Sequence, residues 1–207
     1  MDKRWRRKVA RQLQSVAGSG NRILDVACGT GDLALALFES TGARVIGTDF
    51  CRPMLEIANR KASERQRAIP FIEGDALQLP FPDDSFDGVT IAFGLRNLAS
   101  VEGGLSELFR VLKPGGMTVV LEFSKPIVPG FRALFQFYFN RVLPLLGGVL
   151  SGSRSAYEYL PDSVARFPDQ EQLAALMRKL GFADVQYSNL TGGVAALHSG
   201  RKPGRSL

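Results

Sequence analysis

The stretch Ile23-Leu24-Asp25-Val26-Ala27-Cys28-Gly29-Thr30-Gly31-Asp32 contains the pattern that decides the fold. An apolar strand comes first, a glycine turn follows, and residues 33–38 continue as an apolar helix for which Asp32 is the expected N-cap. Because glycine has no Cβ, Gly29 and Gly31 allow a ligand to approach the backbone of the turn closely. This unit predicts a cofactor site, although the same pattern also fits a structural corner without a ligand.

The charge around the turn indicates the class of cofactor. The dinucleotide fingerprint is G-x-G-x-x-G, and Ala34 stands here at the third glycine position, a replacement that the fingerprint tolerates. However, Asp25 in the strand and Asp32 after the turn would repel a pyrophosphate. Two carboxylates favour instead a cofactor with an ammonium and a sulfonium group near the turn, which describes S-adenosylmethionine. We therefore include Asp25 among the cofactor-binding residues.

The composition indicates one globular domain. The chain has 207 residues, of which 45% are hydrophobic and 22% are charged, and this is enough for an α/β domain with a full core. Cys28 and Cys51 belong to no Cys-x-x-Cys or Cys/His cluster, so we expect a reducing compartment and no metal site. The charged N-terminus precedes no apolar signal segment, which favours a cytoplasmic protein.

Basic residues are concentrated at the two ends of the chain. The formal net charge is +6, and much of the excess comes from Lys3, Arg4, Arg6, Arg7, Lys8, Arg11, Arg201, Lys202 and Arg205. Such ends attract nucleic acid or anionic lipid, or they form a solvated helix face. Because the interior has no basic and aromatic array typical of RNA binding, we expect no nucleic-acid partner.

Strand and helix patterns alternate along the chain. The predicted strands are 22–27, 44–48, 69–72, 86–92, 117–122, 184–190 and 193–199, and the predicted helices are 4–16, 33–40, 52–64, 101–112 and 170–180. This order predicts a single α/β domain over 1–207, with an N-terminal helix in 1–20 and a doubly wound, mostly parallel sheet that ends in an antiparallel pair. Ligands of such sheets bind at the carboxyl ends of the strands.

Three segments follow strand ends and should therefore meet in one crevice. Asp49 ends the second strand, from which a carboxylate can accept hydrogen bonds from both ribose hydroxyls, and it can also cap the next helix. Asp75 follows the third strand, where it can meet the adenine amino group or serve as a turn residue. Arg96 and Asn97 follow the fourth strand, and a helix cap is the alternative role of Asn97.

One stretch interrupts the alternation. Residues 127–150 are rich in Phe and Leu, but Arg132, Arg141 and Pro144 interrupt the stretch, so we expect no membrane-spanning helix there. We predict an apolar helical insert or lid over 127–165. It is either ordinary core, a wall for an apolar substrate, a surface that rests on a membrane, or the interface of a homodimer.

These residues make the chain similar to a known family. It resembles the class I S-adenosylmethionine-dependent methyltransferases, and more closely the C-methyltransferases of quinone biosynthesis. The most specific segments are Phe93-Gly94-Leu95-Arg96-Asn97, Leu121-Glu122-Phe123-Ser124-Lys125-Pro126 and Tyr157-Glu158-Tyr159-Leu160-Pro161-Asp162-Ser163. The resemblance implies a Rossmann-like class I methyltransferase fold with a seven-stranded sheet. Family members also carry an upstream Tyr-Asp segment that covers the cofactor, and residues 4–8 resemble the end of that segment. We therefore expect either a start site placed too late or a member without this lid.

The resemblance also implies roles for individual residues. It assigns cofactor contacts to Thr30, Asp49, Asp75 and Ala76, and it assigns the shape of the cofactor pocket to Gly29, Gly31 and Ala92. The family's Arg-Asn pair corresponds to Arg96 and Asn97, the predicted catalytic residues. Because arginine stays protonated, Arg96 is expected to stabilise a phenolate, whereas Asn97 orients the ring or a water molecule.

The implied reaction is C-methylation of a prenylated hydroquinone. We expect demethylmenaquinol or 2-phytyl-1,4-naphthoquinol as the substrate, and the alternatives are a benzoquinol of the ubiquinone pathway, another small molecule or an RNA. The fold alone does not distinguish these substrates. A prenylated quinol also implies peripheral contact with a membrane surface.

Overall fold

The computed structural model describes residues 3–127 and 163–204. Its strands are β1 (Arg22–Val26), β2 (Arg44–Asp49), β3 (Phe71–Glu73), β4 (Phe86–Ala92), β5 (Leu112–Phe123), β6 (Ala183–Leu190) and β7 (Ala195–Arg201). The longer helices are α1 (Lys3–Gln12), α2 (Asp32–Thr41), α3 (Arg52–Glu64), α4 (Val101–Val111) and α5 (Gln170–Lys179). Short 3-10 turns follow α1 (Leu13–Val16), β4 (Leu95–Asn97) and β6 (Thr191–Gly193).

The strands form one seven-stranded sheet in the order β3-β2-β1-β4-β5-β7-β6. The first five strands of this order, β3, β2, β1, β4 and β5, pair in parallel. β7 pairs antiparallel with both β5 and β6. The switch in strand order between β1 and β4 opens a crevice at the carboxyl ends of these two strands. The predicted doubly wound α/β sheet of a class I methyltransferase is therefore confirmed.

Each face of the sheet is covered by helices because each helix has an apolar stripe. On one face, α1, α2 and α3 bury side chains that include Val9, Leu33, Leu37 and Ala62. On the other face, α4 and α5 bury Leu105, Leu108, Leu173 and Met177. The two helix layers cover both faces of the parallel strands and leave the carboxyl ends of the strands uncovered.

The predicted N-cap of α2 is wrong. Asp32 is the first residue of the helix, and the N-cap is Gly31, which adopts a left-handed φ of 77°. A Cβ at Gly31 would lie 2.9 Å from the Cβ of Ala58 and from the ring of Phe71. Glycine is required there for the backbone conformation and for the close packing of α2 against α3.

Several strand boundaries also differ from the prediction; β7, for example, spans Ala195–Arg201 rather than 193–199, and two of the differences have a local cause. β5 begins at Leu112, five residues earlier than expected, because the Pro114-Gly115-Gly116 segment forms an irregular start of the strand that hydrogen-bonds to Lys202. β3 begins at Phe71 because Pro70 has no N–H to donate, although its carbonyl accepts a hydrogen bond from Gly47. The predicted insert at 127–165 lies almost entirely outside the described residues.

Candidate functional site

The carboxyl ends of β1, β2 and β4 surround a pocket of about 350 Å³. Its lining is Val26, Ala27, Gly29, Asp49, Phe50, Cys51, Met54, Gly74, Asp75, Ala76, Phe93, Gly94, Asn97 and Leu98. The volume lies in the range of small-molecule sites, about 300–1,000 Å³. Five residues singled out in the sequence thus come together here: Gly29, Asp49, Asp75, Ala76 and Asn97.

The carboxylate of Asp49 organises one wall of this pocket. Its Oδ2 accepts a hydrogen bond from the amide of Gly29 at 2.8 Å, and its Oδ1 accepts one from the amide of Cys51 at 2.9 Å. Cys51 is the N-cap of α3, so one side chain connects the glycine turn with the start of the next helix. Each carboxylate oxygen can accept a second hydrogen bond, so Asp49 can also serve a ligand.

Two residues at the pocket carry unusual backbone angles. Ala27 and Phe93 directly follow β1 and β4 and have φ values of 51° and 57°, in a region that non-glycine residues rarely adopt. Gly94 packs directly on Ala27, because a Cβ at Gly94 would collide with the Cβ of Ala27. Strain of this kind persists at functional sites, where the surrounding structure over-determines the conformation.

Thr30 and Gly31 are not among the residues that line the pocket, and both lie against α3. Lys61 Nζ donates hydrogen bonds to Thr30 Oγ1 and to Asp32 Oδ1, both at 2.9 Å. Arg6 adds a second cation 3.5 Å from Asp32. Burial would raise the pKa of Asp32, but the hydrogen bond and charge of Lys61 and the charge of Arg6 bring it below its ordinary value. The Asp32 charge is therefore balanced within the protein by Lys61 and Arg6, so Asp32 does not select a cationic cofactor, contrary to the expectation from the sequence.

Asp25 and Ala92 lie below the pocket, within the sheet. Asp25 is 1% exposed, and its Oδ1 accepts a hydrogen bond from Thr90 Oγ1 at 2.8 Å. Burial raises the pKa of Asp25 to about 7, even though hydrogen bonds from Thr90 and from the backbone of Ala34 oppose the shift. Neither Asp25 nor Ala92 is among the residues that line the pocket.

Arg96 turns away from the cofactor pocket. It borders a second cavity of about 450 Å³ together with Leu98, Ala99, Val101, Ser163, Arg166 and Phe167, and Leu98 borders both cavities. Its guanidinium group forms an ion pair with Glu122, with 2.8 Å between Nη1 and Oε1. Burial raises the pKa of Glu122, whereas the charge of Arg96 and hydrogen bonds from Phe123 and Arg96 oppose that rise.

Three residues of this region are not among the site residues predicted from the sequence. Phe50 and Met54 are 79% and 44% exposed at the pocket, and such open apolar side chains suit the flat face of a ligand ring. The signal for Phe50 was its position directly after Asp49. Glu122 lies in the Leu121–Pro126 motif, but nothing local in the sequence connects it with Arg96.

Other titratable candidates lie elsewhere. His198 lies in β7, and its Nε2 is 2.8 Å from the carbonyl oxygen of Gln170. Burial lowers the pKa of His198. Within residues 3–127 and 163–204, no group of His, Cys, Asp and Glu side chains has the arrangement of a metal site.

Comparison with known proteins identifies the family. The model of the ubiE/COQ5 methyltransferase family matches residues 1–202. Similar relatives are the demethylmenaquinone methyltransferases of Thermus thermophilus, 54% identical over 98% of this chain and 91% of the relative, and of Deinococcus radiodurans, 48% identical over 98% and 83%.

Solved structures support the same fold. The phosphoethanolamine N-methyltransferase 2 of Haemonchus contortus, in complex with S-adenosyl-L-methionine, matches with a TM-score of 0.72 and 17% identity, over 96% of this chain and 53% of that one. Class I methyltransferases use S-adenosylmethionine, which is therefore the expected cofactor. Together with the strand order and the pocket, the match over nearly the whole chain shows that this protein belongs to the ubiE/COQ5 methyltransferase family.

Proposed function

We propose that this protein uses S-adenosylmethionine to methylate a ring carbon of demethylmenaquinol. The observation that carries the proposal is the pocket at the carboxyl ends of β1, β2 and β4, which unites Asp49, Asp75 and Asn97 in a chain closely related to demethylmenaquinone methyltransferases. Asp49 and Asp75 both line this pocket. We place the quinol beside the Leu95–Asn97 turn, which follows β4 and contributes Asn97 to the pocket.

The pocket residues fit the parts of this cofactor. Asp49 keeps acceptor capacity for the ribose hydroxyls beyond the two backbone amides that it already holds. We assign Asp75 and Ala76 to the adenine base because they line the pocket, and the exposed side chains of Phe50 and Met54 offer apolar surface for that base. Gly29, whose added Cβ would point toward Met54 Sδ at 3.6 Å, leaves the backbone open to the ligand.

The acceptor must be a reduced quinol, since an oxidised quinone ring is not nucleophilic. The sulfonium methyl group of the bound cofactor would pass to the ring carbon as its bond to sulfur breaks, which leaves S-adenosylhomocysteine, and the ring carbon would lose its proton to water. Asn97 lines the cofactor pocket and can orient a ring hydroxyl or a water molecule. Arg96 borders the neighbouring cavity, where its guanidinium group, whose charge Glu122 already balances, can donate a hydrogen bond to a phenolate. The remaining contribution is the alignment of the methyl group with the carbon.

A labelling experiment tests the proposed substrate. The protein is incubated with methyl-labelled S-adenosylmethionine and, in separate reactions, with reduced demethylmenaquinol, a reduced benzoquinol precursor of ubiquinone, a 2-phytyl-1,4-naphthoquinol or RNA. We expect label in the naphthoquinol of the menaquinone pathway. Preferential labelling of the benzoquinol or of RNA would overturn the assignment, and the phytyl substrate tests how far the chemistry of the tail matters.

We further propose that the basic N-terminal helix contacts an anionic membrane surface, where a prenylated quinol resides. α1 is rich in Lys and Arg. The ring of Trp5 in this helix packs at a tilt against the ring of Phe93 of the pocket, with 5.7 Å between the ring centroids. In the described residues, no helix is long and apolar enough to cross a bilayer. Flotation with vesicles of phosphatidylglycerol should recover the protein, and vesicles of phosphatidylcholine should not. Equal recovery on both kinds of vesicle would contradict an electrostatic contact.

A further inference from the structure

We propose that Glu122 is the positioning residue for the Arg96-Asn97 pair, and this inference rests on the proposed function of that pair. Glu122 lies near the end of β5, and its side chain is 2% exposed.

The Glu122 carboxylate holds Arg96 at two separate points. Oε1 accepts a hydrogen bond from Arg96 Nη1 at 2.8 Å, and Oε2 accepts one from the backbone amide of Arg96 at 3.2 Å. Oε1 also accepts a hydrogen bond from the amide of Phe123 at 2.8 Å, which sets the orientation of the carboxylate itself. One buried side chain therefore fixes both the backbone and the side chain of Arg96.

The guanidinium group is restrained further by contacts from the adjacent strand ends. Nη1 of Arg96 also donates to the carbonyl oxygen of Phe93 at 2.6 Å, so both hydrogens of this nitrogen are committed. The centre of the guanidinium group lies 5.2 Å from the centroid of the Phe123 ring. Arg96 consequently has one orientation, and Glu122 supplies the charge that balances it in a buried setting.

The restraint on the backbone of Arg96 also limits the position of the next residue, Asn97, which lines the pocket. Arg96 and Asn97 are consecutive residues of the Leu95–Asn97 turn, and Asn97 lines the pocket whereas Glu122 does not. A carboxylate that anchors the backbone of Arg96 therefore limits where Asn97 can lie. Misplacement of a reacting group by about 1 Å can cost about 100-fold in rate, so a residue without ligand contact can control turnover.

The substitution Glu122→Gln separates this role from simple packing. The amide has the shape of the carboxylate, but it has a single acceptor oxygen, and its NH₂ group would face an N–H donor of Arg96. It also removes the charge that balances Arg96. We expect kcat for the quinol to fall about 10- to 100-fold, and the dissociation constant for S-adenosylmethionine to change by less than about 3-fold.

Asp87→Asn is the matched control. The Asp87 carboxylate likewise accepts a hydrogen bond from a backbone amide, that of Arg22 at 2.8 Å, and from a cation, Lys113 Nζ at 2.9 Å. It lies at the start of β4, at the opposite end of the strand from the pocket. Its replacement should lower thermal stability and leave kcat unchanged.

A double-mutant cycle with Arg96→Lys gives the decisive readout. If Glu122 acts through Arg96, the Glu122→Gln change should cost much less in kcat when Lys already stands at 96, whereas Asp87→Asn should leave kcat unchanged in both backgrounds. Loss of kcat by Glu122→Gln that equals the loss by Asp87→Asn, or additive losses in the cycle, would overturn the inference. Failure of the unsubstituted protein to methylate any quinol would instead overturn the proposed function.

Discussion

The Asp49 carboxylate and the Gly29 amide are joined by a hydrogen bond of 2.8 Å across the carboxyl ends of β1 and β2. This bond places the glycine turn at the edge of the pocket, and the other oxygen of Asp49 holds the amide of Cys51 at the start of α3. The residue proposed to bind the ribose therefore also shapes the turn that approaches the cofactor.

Asp49→Asn should weaken cofactor binding strongly. The substitution removes one acceptor and the charge that strengthens the remaining hydrogen bonds, a loss of about 1.5–3 kcal/mol. We expect the dissociation constant for S-adenosylmethionine, measured by titration calorimetry, to rise about 10- to 100-fold. Asp184→Asn, at an exposed position of β6, is the control that should bind normally. Unchanged affinity in Asp49→Asn would remove Asp49 from the site.

Gly31→Ala should destabilise the protein more than Gly42→Ala. Both glycines have a left-handed φ, 77° and 68°, so both substitutions carry a similar backbone cost of about 1 kcal/mol. At Gly31 the new Cβ would also lie 2.9 Å from Ala58 and Phe71, whereas at Gly42 it would meet nothing within 4 Å. Urea unfolding should show an additional loss of about 1–3 kcal/mol for Gly31→Ala. Equal losses would mean that the packing of α2 on α3 adapts freely.

Asp25→Asn should change the pH dependence of stability. The pKa of Asp25 is raised from 3.8 to about 7 by burial, so between these pH values the folded state holds a proton that the unfolded state releases. The free energy of unfolding contributed by this group therefore falls as the pH rises from about 4 to about 7, by at most about 4 kcal/mol. Urea unfolding from pH 5 to pH 8 should show a flatter profile for Asp25→Asn than for the unsubstituted protein. An identical profile would show that Asp25 is ionised in the fold at low pH.

Arg96→Lys should lower turnover while preserving cofactor affinity. Lysine keeps the positive charge but lacks the planar group that donates to Glu122 and Phe93 from one nitrogen and packs on the ring of Phe123. We expect kcat for the quinol to fall at least about 10-fold, with S-adenosylmethionine binding near normal. The exposed Arg178, paired with Glu171, provides Arg178→Lys as a control. Near-normal turnover in Arg96→Lys would exclude a role for the guanidinium geometry.

The alternation of strands and helices along the chain and the place of the pocket could be predicted because both depend on local patterns. Apolar runs that alternate with amphipathic segments predict a parallel sheet, and Asp49, Asp75 and Asn97 lie at or beyond the carboxyl ends of strands that must meet at one edge. The exact partners of these residues could not be predicted in the same way. Asp32 is paired with Lys61, 29 residues away, and Arg96 with Glu122, 26 residues away.

The amino-acid sequence by itself determined the α/β class, the glycine turn and the set of polar residues at the strand ends, because these follow from periodicity and from the conformational freedom of glycine. Only the tertiary structure decided which charges remain for a ligand. The packing of α3 and α1 against the turn neutralises Asp32, burial between strands encloses Asp25, and the end of β5 binds Arg96. Such electrostatic partners depend on distances between elements that are remote in the chain, so local sequence carries no signal for them.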